Sequence, residues 1–406
     1  VAGKTNASHW EWIVLAAAGS LLITMGARQS LGLFVAPLDL STGLGIAKIS
    51  LALAVGQFVW GAAQPIAGAV ADRYGPGRMI GIGLVLLVIG NALTPFVSGL
   101  AGLTFTIGIL AAGGAGCASY SVLMGAVGRR LPPEKRGPAS GIVGAGGSFG
   151  QFIFAPVMGA IISHWGWEIA MWTSAVIVVC ALPLARILRA PKTDAAPLPL
   201  SAFAANMGAA TRSALGDRSY LLLHASFFTC GFHIAFLVTH LPGEIGLCGL
   251  PPAVASWSLA IIGLSNVVGS LMSGWCISRY LSKHVLFAMY ASRSVLILIY
   301  LASPKTDVTF YIFAAGLGLT WLATVPPTAM MVNKLFGVRY LSTLVGLTLL
   351  SHQIGAFFGA YLGGLVFTAT GSFTWMWYID IALAAIAALL NIPIREPKMP
   401  PAEATA

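Results

Sequence analysis

The chain reads as a succession of long apolar runs, each about twenty residues, separated by short breaks that carry glycine, proline and charge. Twelve such runs fall near 12-38, 50-71, 79-98, 102-127, 138-162, 168-188, 219-241, 254-278, 284-303, 308-331, 342-367 and 374-394. A backbone crossing hydrocarbon must satisfy its hydrogen bonds within the segment, so runs of this length are helices, and barrel strands of about ten residues do not fit them. Between the sixth and seventh runs lies one long polar, proline-bearing stretch, APKTDAAPLPLSAFAANMGAATRSALGDRS. The pattern therefore predicts an all-α membrane protein of twelve transmembrane helices: an N-terminal six-helix half over 1-189, a cytoplasmic linker over 190-218 and a C-terminal six-helix half over 219-406.

Composition agrees with that reading. The chain is 57% hydrophobic and 8% charged, with a mean hydropathy of +0.87, whereas soluble domains carry about 25% charged residues. A net charge of +10 in a soluble protein would suggest a nucleic-acid partner; here it marks the loops on one side of a bilayer. Arg28 and Arg293 lie inside runs and Lys48 and Lys305 in odd-numbered loops, while every other Lys and Arg falls at a terminus, in an even-numbered loop or in the linker. Both termini and the linker are thus expected on the cytoplasmic side of the cell membrane. Trp165, Trp167, Trp375 and Trp377 flank the opposite ends as interface anchors do. The first run follows Glu11 and has no small-residue cleavage site after it, so it reads as a retained span. Five cysteines lack metal-ligand spacing, and no nucleophile arrangement, metal cluster or phosphate loop occurs, so no enzyme activity, cofactor or metal is expected.

Two anomalies stand out against the apolar background. Arg28, in the stretch GARQSLGLFVAP from Gly26 to Pro37, sits well inside the first run. A central arginine in hydrocarbon costs at least about 2.5 to 3.5 kcal/mol, so it persists where it meets water, a partner or a ligand. Adding 205 to Gly26, Arg28 and Pro37 gives Gly231, His233 and Pro242, and the same offset carries Gly141, Gly150 and Gly159 onto Gly346, Gly355 and Gly364. Shared spacing in two helices argues for duplication. Parallel six-span repeats with a site at their interface are a transporter architecture.

Between the second and third runs stands Gly68-Ala-Val-Ala-Asp72-Arg73-Tyr-Gly75-Pro-Gly-Arg78, a tight turn with an acid at one helix end and bases beside it. It resembles the signature loop of the major facilitator superfamily, where such a loop can latch the two halves by ion pairs; a solvated turn that sets topology is the alternative. The diluted copy from Ser273 to His284 keeps the bases and lacks the acid. The basic loop Arg129 to Arg136, leading into Ser140-Gly141, and GARQSLGLF with Pro37 resemble the oxalate/formate exchanger and monocarboxylate carrier branch. That branch places a substrate-binding arginine on the eighth helix, where this chain has Asn266-Val-Val-Gly-Ser270-Leu-Met-Ser-Gly274 instead. The resemblance then leaves Arg28 as the anion-binding cation and sets His352 where the oxalate carrier has a lysine. Within the fifth run, the stretch Gly146 to Ala160 lacks two glycines of the superfamily's drug-antiporter pattern.

The resemblance places Arg28, His233 and His352 on helices that line the central cavity, where they suit a carboxylate: arginine holds it bidentately and protonated imidazoles donate. The expected substrate-binding set is Arg28, Tyr120, His233, Asn266, Trp321 and His352, with His233 and His352 also carrying protons and Gln57 and Gln151 as further cavity groups. His224 and His240 are expected near the interface. Arg293 and Asp380 form either a structural ion pair or, with Arg293 turned inward, a second anion-binding cation. These residues imply proton-coupled transport of a small organic anion, most naturally a monocarboxylate, by a monomer. Proton-driven export of amphipathic compounds, and a non-transporting receptor of the same fold, are the alternatives.

Overall fold

The computed structural model describes residues 10–128, 130–131, 133–189, 208, 211–336 and 341–397. Among them are twelve helices long and apolar enough to cross a membrane: α1 Trp10–Thr42, α2 Ile46–Gly68, α3 Pro76–Phe96, α4 Leu100–Val127, α5 Gly141–Trp165, α6 Trp167–Ile187, α7 Arg218–Leu247, α8 Pro252–Arg279, α9 Ser282–Ala302, α10 Asp307–Phe336, α11 Leu344–Thr370 and α12 Thr374–Asn391. The α2 helix continues to Tyr74. The expected number of spans is present, and several run longer than their apolar stretch. The seventh reaches Leu247 because Pro242 sits inside the helix and does not end it.

Glycine lets these helices touch, and the 205-residue repeat is a repeat of contacts. A Cβ on Gly150 of α5 would lie 2.8 Å from the carbonyl carbon of Leu22 on α1, and one on Gly355 of α11 would lie 2.8 Å from that of Phe228 on α7. The equivalent positions thus close equivalent helix pairs within each half. Further along, Gly159 meets Ser256 of α8, with 2.8 Å to its Cβ, and Gly364 meets Ser50 of α2, with 2.5 Å to its Cβ. These two contacts join the halves. With no hydrophobic driving force between helices in lipid, such small-residue approaches supply much of the association.

The seam between halves is not uniform along its length. At the end away from the chain termini, the outer turn of α1, Leu31–Phe34, packs on α7, where a Cβ on Gly32 would lie 2.9 Å from the carbonyl carbon of Val238. At the end bearing the termini, Gly68, Gly141, Gly274 and Gly346 each face open space. The two halves are therefore closed at the far end and parted at the near end.

Three spans are irregular along their length. The α1 span breaks at Ser30, whose hydroxyl donates to the Gly26 carbonyl, before Leu31–Phe34 tightens into a 3-10 turn. The α4 span widens into a π-helix over Thr104–Ala111, a geometry that clusters at functional sites. The α10 span parts into Asp307–Thr320 and Val325–Phe336. In the signature loop Gly75 has a φ of +94°, which a residue with a Cβ rarely adopts, and Pro76 opens α3 directly after it. The side chains of Asp72 and Arg73 lie outside the described residues, as does 190–207 of the linker. From 211 the linker is helical, and Asp217 caps α7 by accepting from the backbone N–H of Ser219 at 2.7 Å.

The acid missing from the second copy of the signature loop comes from the C-terminal segment. Glu396 accepts from the backbone N–H groups of Ser282 and Lys283 at the start of α9, at 2.8 and 3.0 Å, and pairs with Lys334 of α10 at 2.6 Å. Burial pushes its carboxyl up, but those N–H groups and the Lys334 ammonium push harder, and the balance holds it below the usual carboxylate range. A depressed folded value contributes stability above the unfolded range, and that contribution is lost as pH falls through the folded value. Glu396→Gln should lower the thermal stability of the purified protein at neutral pH, by roughly 1.5 to 3 kcal/mol for the charged hydrogen bonds. The gap from the unsubstituted protein should close on acidification below about pH 4; a gap independent of pH would contradict this account. Packing gives a second expectation: Gly355→Val should cost about 1 to 3 kcal/mol or more, while Gly346→Ala, in open space, should be neutral or stabilising in the same melt.

Candidate functional site

Arg28 is held by two residues of α2. Its guanidinium donates to the Gln57 side-chain oxygen and lies 4.1 Å from the centroid of the Trp60 ring. Gln57 and Trp60 are three residues apart and so share a helix face. A cation over an indole gains about 0.5 to 2 kcal/mol, which offsets part of the charge's cost in hydrocarbon without neutralising it. No carboxylate stands within ion-pair distance of Arg28 among the described residues.

Beside Arg28 lies a cavity of about 30 Å³ whose polar wall is Arg28, Gln57, Asn91 and Thr239 and whose apolar wall includes Leu53 and Ile107. Ile107 belongs to the π-helical turn of α4, so the irregular segment forms part of this wall. A water needs about 10 to 15 Å³ on this measure, so the cavity has room for a water or two and is too tight for an organic anion while the far end is closed.

The α11 helix brings His352 to the same region. A Cβ on Gly61, next after Trp60 on α2, would come within 2.5 Å of the Cβ of Gln353, whose side-chain nitrogen is 3.0 Å from Nδ1 of His352. The His352 ring lies 4.9 Å from that of Phe227 and within electrostatic reach of Arg28 and Arg293. Coming from the opposite half, His352 lies within electrostatic reach of Arg28 but does not line the cavity.

His233 does not line the cavity either. It is fully buried on the opposite flank of α7, with Nδ1 2.5 Å from Oδ2 of Asp380 on α12. The α7 residues that reach the cavity are Val238 and Thr239, more than a helical turn further on. The repeat places His233 at the position of Arg28 in its own half, but the two half-sites face different neighbours. The expected direct Arg293–Asp380 ion pair is likewise replaced: Arg293 donates from Nη2 to the carbonyls of Thr320 and Trp321 at 2.7 and 3.4 Å, and Asp380 pairs with His233. Trp321 is fully buried beside His233, with ring centroids 6.0 Å apart, and does not line the cavity. Tyr120 is 40% exposed at the start of the inner segment of α4, also away from the cavity. His240, expected near the interface, is buried with Nε2 2.7 Å from the carbonyl oxygen of Ala360, while His224 meets Ser351 at 2.6 Å.

Asn266 has a position that residue type alone did not reveal. Its amide nitrogen donates to Ser148 of α5 at 2.8 Å, across the seam, and its oxygen accepts from the backbone N–H of Leu322 at 3.0 Å. Leu322 lies in the α10 break, where the freed backbone groups are met by side chains from three helices. Arg293 of α9 takes Thr320 and Trp321, Ser273 of α8 takes Ala323 at 2.6 Å, and Cys230 of α7 takes Trp321 at 3.8 Å. Irregular backbone at membrane depth persists only where it is satisfied in this way. Gln151 is buried at the same α5–α8 seam, against Gly263.

Sequence reasoning missed Trp60, Asn91, Thr239 and Ser148. The three-residue spacing of Gln57 and Trp60 could have found the first; the others depend on which face each helix turns inward, and apolar composition does not fix that.

Two pseudo-symmetric six-helix halves with polar groups at their seam define a polytopic membrane carrier. The chain belongs to the Major Facilitator Superfamily, whose family model matches residues 17–247 and 248–406. It is 24% identical over 393 residues to Monocarboxylate transporter 13 of Bos taurus, covering 95% of this chain and 89% of that protein. It is also 24% identical over 389 residues to the Oxalate:formate antiporter of Oxalobacter formigenes, covering 94% and 90%. Among solved structures, a D-xylose-proton symporter superposes with a TM-score of 0.78 at 14% identity, over 95% of this chain and 98% of that one. A bacterial homolog of the human lysosomal transporter Spinster, inward-facing and unoccupied, gives 0.67 at 14% identity, over 95% and 94%. At these identities the solved structures establish the fold. The protein is a multi-pass membrane transporter.

Asn266→Ala removes both bonds and leaves the Leu322 N–H buried without a partner. It should destabilise the protein by about 1 to 3 kcal/mol, and Ser148→Ala, which spares the Leu322 bond, should cost less; equal losses in a thermal melt would contradict the bridging role.

Proposed function

We propose that this transporter carries small organic anions, monocarboxylates foremost, together with protons, by alternating access between its halves. It works in the cell membrane with both termini on the cytoplasmic side, so the parted end faces inward. The observation that carries this reading is Arg28: a permanent cation at mid-depth, at a cavity wall, with a neutral amide and an indole for partners. A carboxylate would complete what Gln57 and Trp60 leave undone, since arginine offers it two parallel N–H donors in place of one neutral acceptor. His352 stands close enough for its charge state to matter to a bound anion. The names of the two relatives concern carboxylates, which supports the same substrate class.

The present cavity must widen to admit such a substrate. Its walls come from both halves, through α1, α2, α3 and α4 on one side and α7 on the other, so a rocking of halves about the seam changes its volume directly. A proton loaded with each monocarboxylate leaves the moving complex with one charge fewer to carry through hydrocarbon.

In proteoliposomes offered lactate, pyruvate, formate and oxalate in turn, the wild-type protein should accumulate at least one of them, and an inward-directed proton gradient should accelerate uptake. Arg28→Ala should reduce uptake by tenfold or more, and Arg28→Lys, which keeps the charge and loses the fork, should retain a fraction. Undiminished uptake by Arg28→Ala would remove Arg28 from the site.

A further inference from the structure

We propose that the buried His233–Asp380 pair is the proton-carrying site of this transporter, set in the core of the C-terminal half behind the broken α10 and separate from the anion site at Arg28. The proposal rests on the transport reading above and names where its proton sits.

The geometry defines the chemistry. His233 and Asp380 are both fully buried and joined at 2.5 Å between Nδ1 and Oδ2. An ionised carboxylate fixes the tautomer: Nδ1 keeps its hydrogen and donates it to Asp380, so the lone pair of a neutral ring is at Nε2. Nε2 of His233 and Oδ1 of Asp380 are both buried with no hydrogen-bond partner. Nε and Nη1 of the neighbouring Arg293 are unpartnered too, so this one cluster gathers four buried polar atoms whose state needs an explanation. A proton taken from water forms a bond to the Nε2 lone pair; the Nδ1–H···Oδ2 bond stays intact and no other bond breaks.

The charges around the pair suit reversible loading. Acting on His233 are Asp380 from α12 and Arg293 from α9, and α10 contributes Trp321, which does not titrate; Tyr290 of α9 and Cys230 of α7 lie around Arg293, which also reaches His352 of α11. With His233 neutral, Arg293 and Asp380 cancel. Loading makes the cluster net positive. Arg293 acts electrostatically on His233 on one side and on His352 on the other. An anion arriving at Arg28 and His352 offsets that positive field and favours the proton on His233, and by reciprocity the proton favours the anion.

A mechanical link runs beside the electrostatic one. Arg293 caps the freed carbonyls of the α10 break, and Asn266 ties the same break to Ser148 across the seam. The charge of the pair therefore bears on an element anchored to both halves.

The test compares wild type, His233→Gln and Asp380→Asn in proteoliposomes, each first shown monodisperse by size-exclusion chromatography. Glutamine and asparagine keep a hydrogen bond at the pair and remove its titration, so two independent variants guard against misfolding. The ratio of lactate uptake with an inward proton gradient to uptake without one should exceed unity in wild type, and the stimulation should disappear in His233→Gln and Asp380→Asn. Undiminished stimulation in His233→Gln overturns the proposal. If the wild type moves no monocarboxylate, the transport reading fails by itself and the site is read in the purified protein. A pH-indicator dye counts protons bound per molecule on acidification from about pH 8 to about pH 4, which brackets the imidazole range. One proton fewer in His233→Gln than in wild type supports the site, and equal counts overturn it.

Discussion

The constraint on which this molecule turns is the cost of a permanent cation in hydrocarbon, met twice and in opposite ways. Arg293 is buried in the C-terminal half, gives its Nη2 donor to the carbonyls that the α10 break sets free, and lies within electrostatic reach of the His233–Asp380 pair. Arg28 receives a neutral amide and an aromatic face, which satisfy its geometry and leave its charge uncompensated at a cavity wall. One arginine belongs to the scaffold, and the other stands at a cavity wall, where the proposed substrate would bind. The difference lies in what each helix turns toward it, since both residues are the same and both lie inside spans.

The scaffold that makes this possible is a duplicated contact pattern. Gly150 and Gly355 draw α5 onto α1 and α11 onto α7, and Gly159 and Gly364 set α5 against α8 and α11 against α2. Each half is thus closed internally by the same device that joins it to the other. Because the Gly159 and Gly364 contacts lie toward the far end, and Gly68, Gly141, Gly274 and Gly346 meet nothing at the near end, the near end is free to part. The polar bridge through Asn266 then ties an irregular segment of one half to a helix of the other.

Apolar run length made the twelve spans legible, and the 205-residue offset made the two halves legible, because both follow from what lipid demands of any backbone. The signature loop and the carboxylate-carrier resemblance pointed to the superfamily that the family model matches. Helix rotation was not legible. His233 follows Arg28 in the repeat, yet α7 turns it toward α12, where Asp380 waits 147 residues later. Opposite charge alone pairs Arg293 with Asp380, yet Asp380 takes His233 and the helix break takes the arginine. A membrane helix that is apolar on every side carries no periodicity to say which face is inner. Trp60 and Gln57 share a face by spacing alone, but that this face meets Arg28 is a fact of packing.

The account stands most directly on whether Arg28 binds an anion, and equilibrium binding tests it without any flux. The thermal stability of the purified protein is followed against a series of carboxylates of increasing size, with matched neutral amides as controls. Binding to the folded state raises stability by mass action, about 2.7 kcal/mol at a hundred times Kd. The account predicts that small carboxylates shift the wild-type melt, that their amides do not, and that Arg28→Ala abolishes the shift. Equal shifts in wild type and Arg28→Ala would contradict it.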